Sequence, residues 1–109
     1  MLTVIWWRGI PAQVLARDGR RAHKIVLHPR FQVAIDKAAE KAGRRSMDAY
    51  IAEWRKVQRP CDDDLEAEVQ AEVERLEREY TKQRLAELVA AGGAAQDAGG
   101  AAPPAEAPA

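Results

Sequence analysis

Few side chains in this sequence are of types that do covalent chemistry, and their spacing argues against it. The two histidines, His23 and His28, stand five residues apart around one strand-like stretch. They therefore point to opposite faces, the wrong arrangement for a shared metal. Cys61 is the single cysteine, so neither an intrachain disulfide nor a Cys/His zinc set is available. Asp62, Asp63 and Asp64 follow it directly, and their charges disfavour the thiolate that a nucleophile requires. No glycine-rich phosphate loop is present, because the glycine pairs 92–93 and 99–100 fall in a C-terminal Ala/Gly/Pro stretch. No Ser/His/Asp or Cys/His arrangement has local support. The expectation is a protein without catalytic residues, cofactor or metal.

The residues that suggest binding are aromatic and basic. Adjacent residues of a strand face opposite ways, so only one of Trp6 and Trp7 can enter a one-sided core. The other would be exposed, or covered by the long C-terminal helix or by a partner, and tryptophan is enriched at interaction hot spots. Arg20-Arg21 and Arg44-Arg45 are two basic pairs in turn-like segments. With Arg8, Arg17, Lys24 and Arg30 they could form a phosphate-binding surface, although solvated turns are the usual role for such pairs. The candidate interaction surface is Trp6, Trp7, Arg8, Arg20, Arg21, His28 and Arg30.

These residues sit in a chain of 109 residues with zero formal net charge, long enough for one small domain. The zero is an average of unlike halves. Residues 1–60 carry thirteen Lys/Arg against five Asp/Glu, and residues 61–109 carry four against twelve. Either each half meets a different partner, or the acidic half screens the basic one. The opening MLTVIWWRGIP has neither the basic start nor the apolar run of a secretion signal. No run approaches the ~18 apolar residues of a membrane span. A cytoplasmic location without membrane attachment is expected.

Local signals divide the chain into a 1–60 α+β core, a 61–91 acidic amphipathic helix and a 92–109 disordered tail. Strands are predicted over Leu2–Arg8, Ala12–Arg17 and His23–Leu27, with Asp18-Gly19 as the hairpin turn between the last two. His28-Pro29 opens a helix whose apolar positions are Phe31, Ala34, Ile35, Ala38, Ala39 and Ala42, closed by Gly43. Ser46 then caps a second helix with a Met47, Tyr50, Ile51, Trp54, Val57 stripe, ended by Pro60. Asp63 with Glu66 fits a capping box for one long helix from Leu65 to about Ala91. Its Val69, Val73, Leu76 and Tyr80 stripe is regular, while Leu85 and Leu88-Val89 are less so. The expected architecture is α+β: an N-terminal antiparallel three-stranded sheet, a helical hairpin and a long acidic C-terminal helix.

From Thr3 to Cys61 the sequence resembles a small bacterial family labelled virulence factor, related to conserved virulence factor C. The resemblance rests on Trp6-Trp7-Arg8, Ile10-Pro11, Asp18-Gly19-Arg20-Arg21, His28-Pro29-Arg30-Phe31 and Glu53-Trp54, with Gly9 where an acidic residue is expected. It implies a non-enzymatic accessory or regulatory protein acting by protein–protein interaction, with one-carbon (folate/corrinoid) methyl-transfer enzymes as a partner class. A second resemblance, of Lys24 to Lys56, is to the strand-helix-helix unit of ribbon-helix-helix proteins. That one implies a homodimer using Lys24, Val26 and His28 on nucleic acid.

Overall fold

A computed structural model describes residues 1–43 and 46–94. Arg44 and Arg45, one of the two basic pairs, and the tail from residue 95 lie outside the described residues.

β1 (Leu2–Trp7) sets the architecture, because it is apolar on both faces and five of its six residues are buried. Such a strand belongs inside a sheet, with neighbours on both edges. β2 (Ile10–Asp18) and β3 (Arg21–Val26) supply one side and β4 (Trp54–Arg59) the other, in the all-antiparallel order β3-β2-β1-β4. The register places Leu2, Val4, Val14, Ala16, Ile25 and Val57 on one face. Thr3, Ile5, Leu15, Lys24, Lys56 and Gln58 share the other. The β2–β3 hairpin closes one residue later than expected, with Asp18 opposite Arg21 and Gly19 at φ 64° as the first loop residue. Left-handed backbone at that position alone is the II′ pattern rather than I′.

α1 (Pro29–Lys41) forms as its sequence dictates. The His28 Nδ1 accepts the Arg30 N–H at 3.0 Å, Pro29 occupies the first turn, and Gly43 follows the last turn at φ 75°. Phe31, Ala34, Ile35, Ala38 and Ala39 are buried.

The sheet has four strands rather than three, because the predicted second helix stops early. Ser46 does cap α2 (Met47–Ile51), its hydroxyl accepting the Ala49 N–H at 3.1 Å, but the helix ends at Ile51. Trp54 and Val57, three apart, look like one helical face. In β4 they fall on opposite sides of the sheet, with Trp54 opposite Trp7 and Val57 opposite Val4. The unpaired backbone edge of β1 outcompetes a further helical turn, since buried amides need partners. The stretch that resembles the ribbon-helix-helix unit folds as β3, α1 and α2 in order, but α2 is only five residues long and β3 gives one edge to β2, which leaves it the edge strand of the sheet.

The long acidic helix is two helices. α3 (Leu65–Glu79) is capped by Asp64, which accepts the Ala67 N–H at 3.1 Å, one residue after the expected Asp63. Tyr80 leaves helical geometry at φ −101° and ψ 76°. Thr81 then caps α4 (Lys82–Ala90), its hydroxyl accepting the Arg84 N–H at 3.2 Å. The break swings α4 onto α1, while α3 covers β2 and β3. Gly92 and Gly93, placed by sequence in the tail, are buried and close α4 at φ 68° and 87°. The Gly93 carbonyl accepts the Gly9 N–H at 2.7 Å, tying α4 to the β1–β2 turn. One buried cluster runs from Leu2 to Leu88, across the residue-60 division.

Candidate protein-docking groove

The tryptophan end of the sheet is closed. Trp6 is 4% exposed and Trp7 0%. Trp6 meets Tyr80 edge-on, with ring centroids 6.1 Å apart. Trp7 stacks on Tyr50 at 5.8 Å and donates its indole N–H to the Tyr50 carbonyl at 2.9 Å. The C-terminal turn closes over it so tightly that a Cβ on Gly93 would stand 3.0 Å from Trp7 Cζ3. Arg8, in the left-handed region at φ 54°, lays its guanidinium 5.6 Å from the Trp7 ring centre. Its Nη1 donates to the Gly92 carbonyl at 2.9 Å, and its Nε lies 3.3 Å from Glu53 Oε1. The polar groups of Trp7 and Arg8 are thus taken up within the chain, the buried Trp6 indole N–H has no hydrogen-bond partner among the described residues, and both tryptophan rings are buried.

The other expected residues separate into two places. Arg20 and Arg21 are exposed at the β2–β3 hairpin, where Arg21 pairs with Asp18 at 2.9 Å and donates to the Asp63 carbonyl at 3.2 Å. His28 and Arg30 sit at the start of α1 and clamp the end of α3. The His28 backbone N–H donates to Glu77 Oε2 at 2.9 Å. Arg30 Nη2 donates to the carbonyls of Glu77 at 2.9 Å and Tyr80 at 3.3 Å. Those carbonyls are left without helical partners by the break at Tyr80.

This clamp brings the beginning of α4 beside the beginning of α1. At the far end, a Cβ on Gly92 would lie 3.1 Å from Ala42 Cβ. The two helices therefore run side by side in the same direction, with an open groove of about 450 Å³ along them. α1 lines it with Pro29, Arg30, Val33, Ala34 and Lys37, and α4 with Lys82, Leu85, Ala86 and Val89. Both sets recur at intervals of three and four, so each helix turns one stripe to the groove. Ala34 and Leu85 are its buried floor, and Val33, 50% exposed, stands in its wall. Lys37 and Lys82 are exposed at the rim. No carboxylate lines the groove, and neither lysine makes an ion pair among the described residues.

The two perturbed acid–base groups have structural causes. The Arg75 guanidinium is held above its usual range chiefly by its hydrogen bond to Glu72, a buried carboxylate that Arg59 also contacts at 3.3 Å. Burial pushes the Tyr80 phenol upward, with the Glu79 charge adding to it. Among the described residues, no group of three or more His, Cys, Asp and Glu is arranged to hold a metal ion. No helix there is long and apolar enough to cross a membrane.

A family model described as "Virulence factor" matches residues 5–89. The chain belongs to the virulence factor family. The match runs from within β1 to the last turn of α4, well past the Cys61 limit of the sequence resemblance. Both helices of the groove, α1 and all but the last residue of α4, lie within the matched residues. No curated protein and no solved structure matches it.

Sequence reasoning reached His28 and Arg30 but missed Val33, Lys37 and the whole α4 wall. Two signals were available. Val33 is an apolar residue off the buried stripe of α1, and the irregular phase of Leu85 and Leu88-Val89 after Tyr80 marks a break that Thr81 can cap.

Proposed function

We propose that this virulence factor family member is a non-catalytic, cytoplasmic accessory protein that binds another protein through the α1–α4 groove. The observation that carries this reading is the groove itself. Two helices line it with apolar side chains, of which Ala34 and Leu85 are buried in the floor while Val33 stands half exposed in the wall and Ala86 is exposed. Grooves of this kind receive side chains of a partner segment. One-carbon (folate/corrinoid) methyl-transfer enzymes are the partner class to examine first. The location is in keeping with the lone unpaired thiol of Cys61.

Site-specific photocrosslinking in cells tests the reading. A photoreactive residue at position 33 should give a discrete protein adduct that survives nuclease treatment. The same residue at Glu74, exposed on α3, should not. Equal adducts from both positions, or a nuclease-sensitive product alone, would remove the groove as the docking site. The second outcome would point instead to nucleic acid on the basic half.

A further inference from the structure

We infer that the groove takes an acidic amphipathic helix that runs antiparallel to α1 and α4. This rests on the groove being a docking site, as proposed above, and adds the chemistry and polarity of what enters it. The length comes first. From Pro29 to Lys37 and from Lys82 to Val89 the walls extend roughly 10–12 Å at 1.5 Å per residue. That is two helical turns, matched by an incoming helix with apolar residues at i, i+3 or i+4, and i+7. A third helix laid between two others completes a bundle in which Val33, Ala86 and Val89 are covered.

Charge selects among such helices. Lys82 stands on the α4 wall at one end of the groove and Lys37 on the α1 wall at the other. They form a diagonal pair of cations with no carboxylate between them and no partner among the described residues. Carboxylates on opposite flanks of the entering helix, about two turns apart, would meet both. A basic helix would meet two like charges instead, the arrangement that excludes wrong partners.

Polarity follows from the parallel course of α1 and α4. Their positive dipole ends lie together at His28 and Thr81, and their negative ends at Ala42 and Ala91. A helix entering antiparallel puts its negative C-terminal end beside Lys82 and the two positive ends. The reverse orientation stacks like dipole ends at both termini.

The test uses the protein with three synthetic helical peptides of about fifteen residues, long enough to hold helix when docked. They share one leucine stripe and differ only in Glu, Gln or Lys flanks. Fluorescence anisotropy should show the Glu peptide binding at least about tenfold tighter than the Lys peptide at low salt, a gap that narrows as salt rises. The Lys37→Glu/Lys82→Glu variant should reverse the order without moving the thermal unfolding curve, since both side chains are exposed. A nitroxide on the peptide N-terminus should broaden the amide signals of Lys41 and Ala42, and one on the C-terminus those of Thr81 and Lys82. Equal binding of all three peptides, lost in Val33→Asp, would overturn the acidic partner while leaving the docking site. The reversed broadening pattern would overturn the polarity. If no peptide binds, the helical occupant is wrong, and the adduct at position 33 then tells whether the docking site falls with it.

Discussion

The tryptophan end of the sheet and the α1–α4 groove are built from the same materials, aromatic or aliphatic side chains flanked by cations, yet one is finished and the other open. Around Trp7 the polar groups are answered from within: the indole by Tyr50, the Arg8 guanidinium by Gly92 and Glu53, the Gly9 amide by Gly93. Around Val33 the lysines have no such partner among the described residues, and Val33 itself is half exposed. Bulky aromatics are poor guides to a binding surface in a small domain, because the core claims them first. The informative residue is the apolar one left half exposed beside unmatched charge.

The largest effect should come from exchanging the two regions as targets. Trp7→Ala removes a fully buried ring and should cost about 3–5 kcal/mol in chemical denaturation. Val33→Ala should stay within about 0.5 kcal/mol, as surface changes do. A comparable loss from both would mean that the groove is part of the core and the contrast is false.

Gly93 is the next place to press. It sits at φ 87°, where L side chains are strained, and a Cβ would stand 3.0 Å from Trp7 Cζ3. Gly93→Ala should cost about 1–3 kcal/mol and shift Trp fluorescence to the red as the turn lifts. An unshifted spectrum would show that the C-terminal turn is not what seals Trp7.

The cations can be compared in the same way. Arg8 holds a carbonyl and a carboxylate from a three-quarters-buried position, so Arg8→Met should destabilise by about 1–2 kcal/mol. Lys37→Met should leave stability within about 0.5 kcal/mol while lowering affinity for the Glu peptide. If Lys37→Met unfolds the protein as readily, the lysine has a structural partner and loses its claim on a ligand.

The legible parts of the fold were those fixed by local chemistry. His28-Pro29 and Gly43 bounded α1, Ser46 started α2, and β-branched and aromatic runs gave the first three strands. Non-local competition decided the rest. Trp54 and Val57 satisfy a helical stripe as well as a strand, and only the unpaired edge of β1 selects the strand. Tyr80 continues the α3 stripe in phase and so masks the Thr81 cap that follows it, while Arg30, fifty residues earlier, takes the Tyr80 carbonyl. The groove was hidden for that reason. Its α1 wall lay in view at Val33 and Lys37, but without the break there is no second wall to face it.

Tyr80 belongs to both regions and links their fates. Its ring meets Trp6 on one side and Phe31 on the other, and its carbonyl accepts from Arg30 at the mouth of the groove. Burial raises its phenol above the usual 10.0, so the folded chain holds this proton to a higher pH than the unfolded chain does. Below the unfolded value both states are protonated and the full stability is present. As pH rises toward the raised folded value, the unfolded chain ionises first and stability declines. Tyr80→Phe should flatten that decline above about pH 10, with at most about 0.5 kcal/mol of change at pH 7. Trp fluorescence reports the sealed end and anisotropy of the bound Glu peptide reports the groove. In the parent protein the two should fail together as pH rises, because one ring supports both. If the groove loses its peptide while the Trp signal holds, Tyr80 does not couple the two, and the closed and open regions are independent.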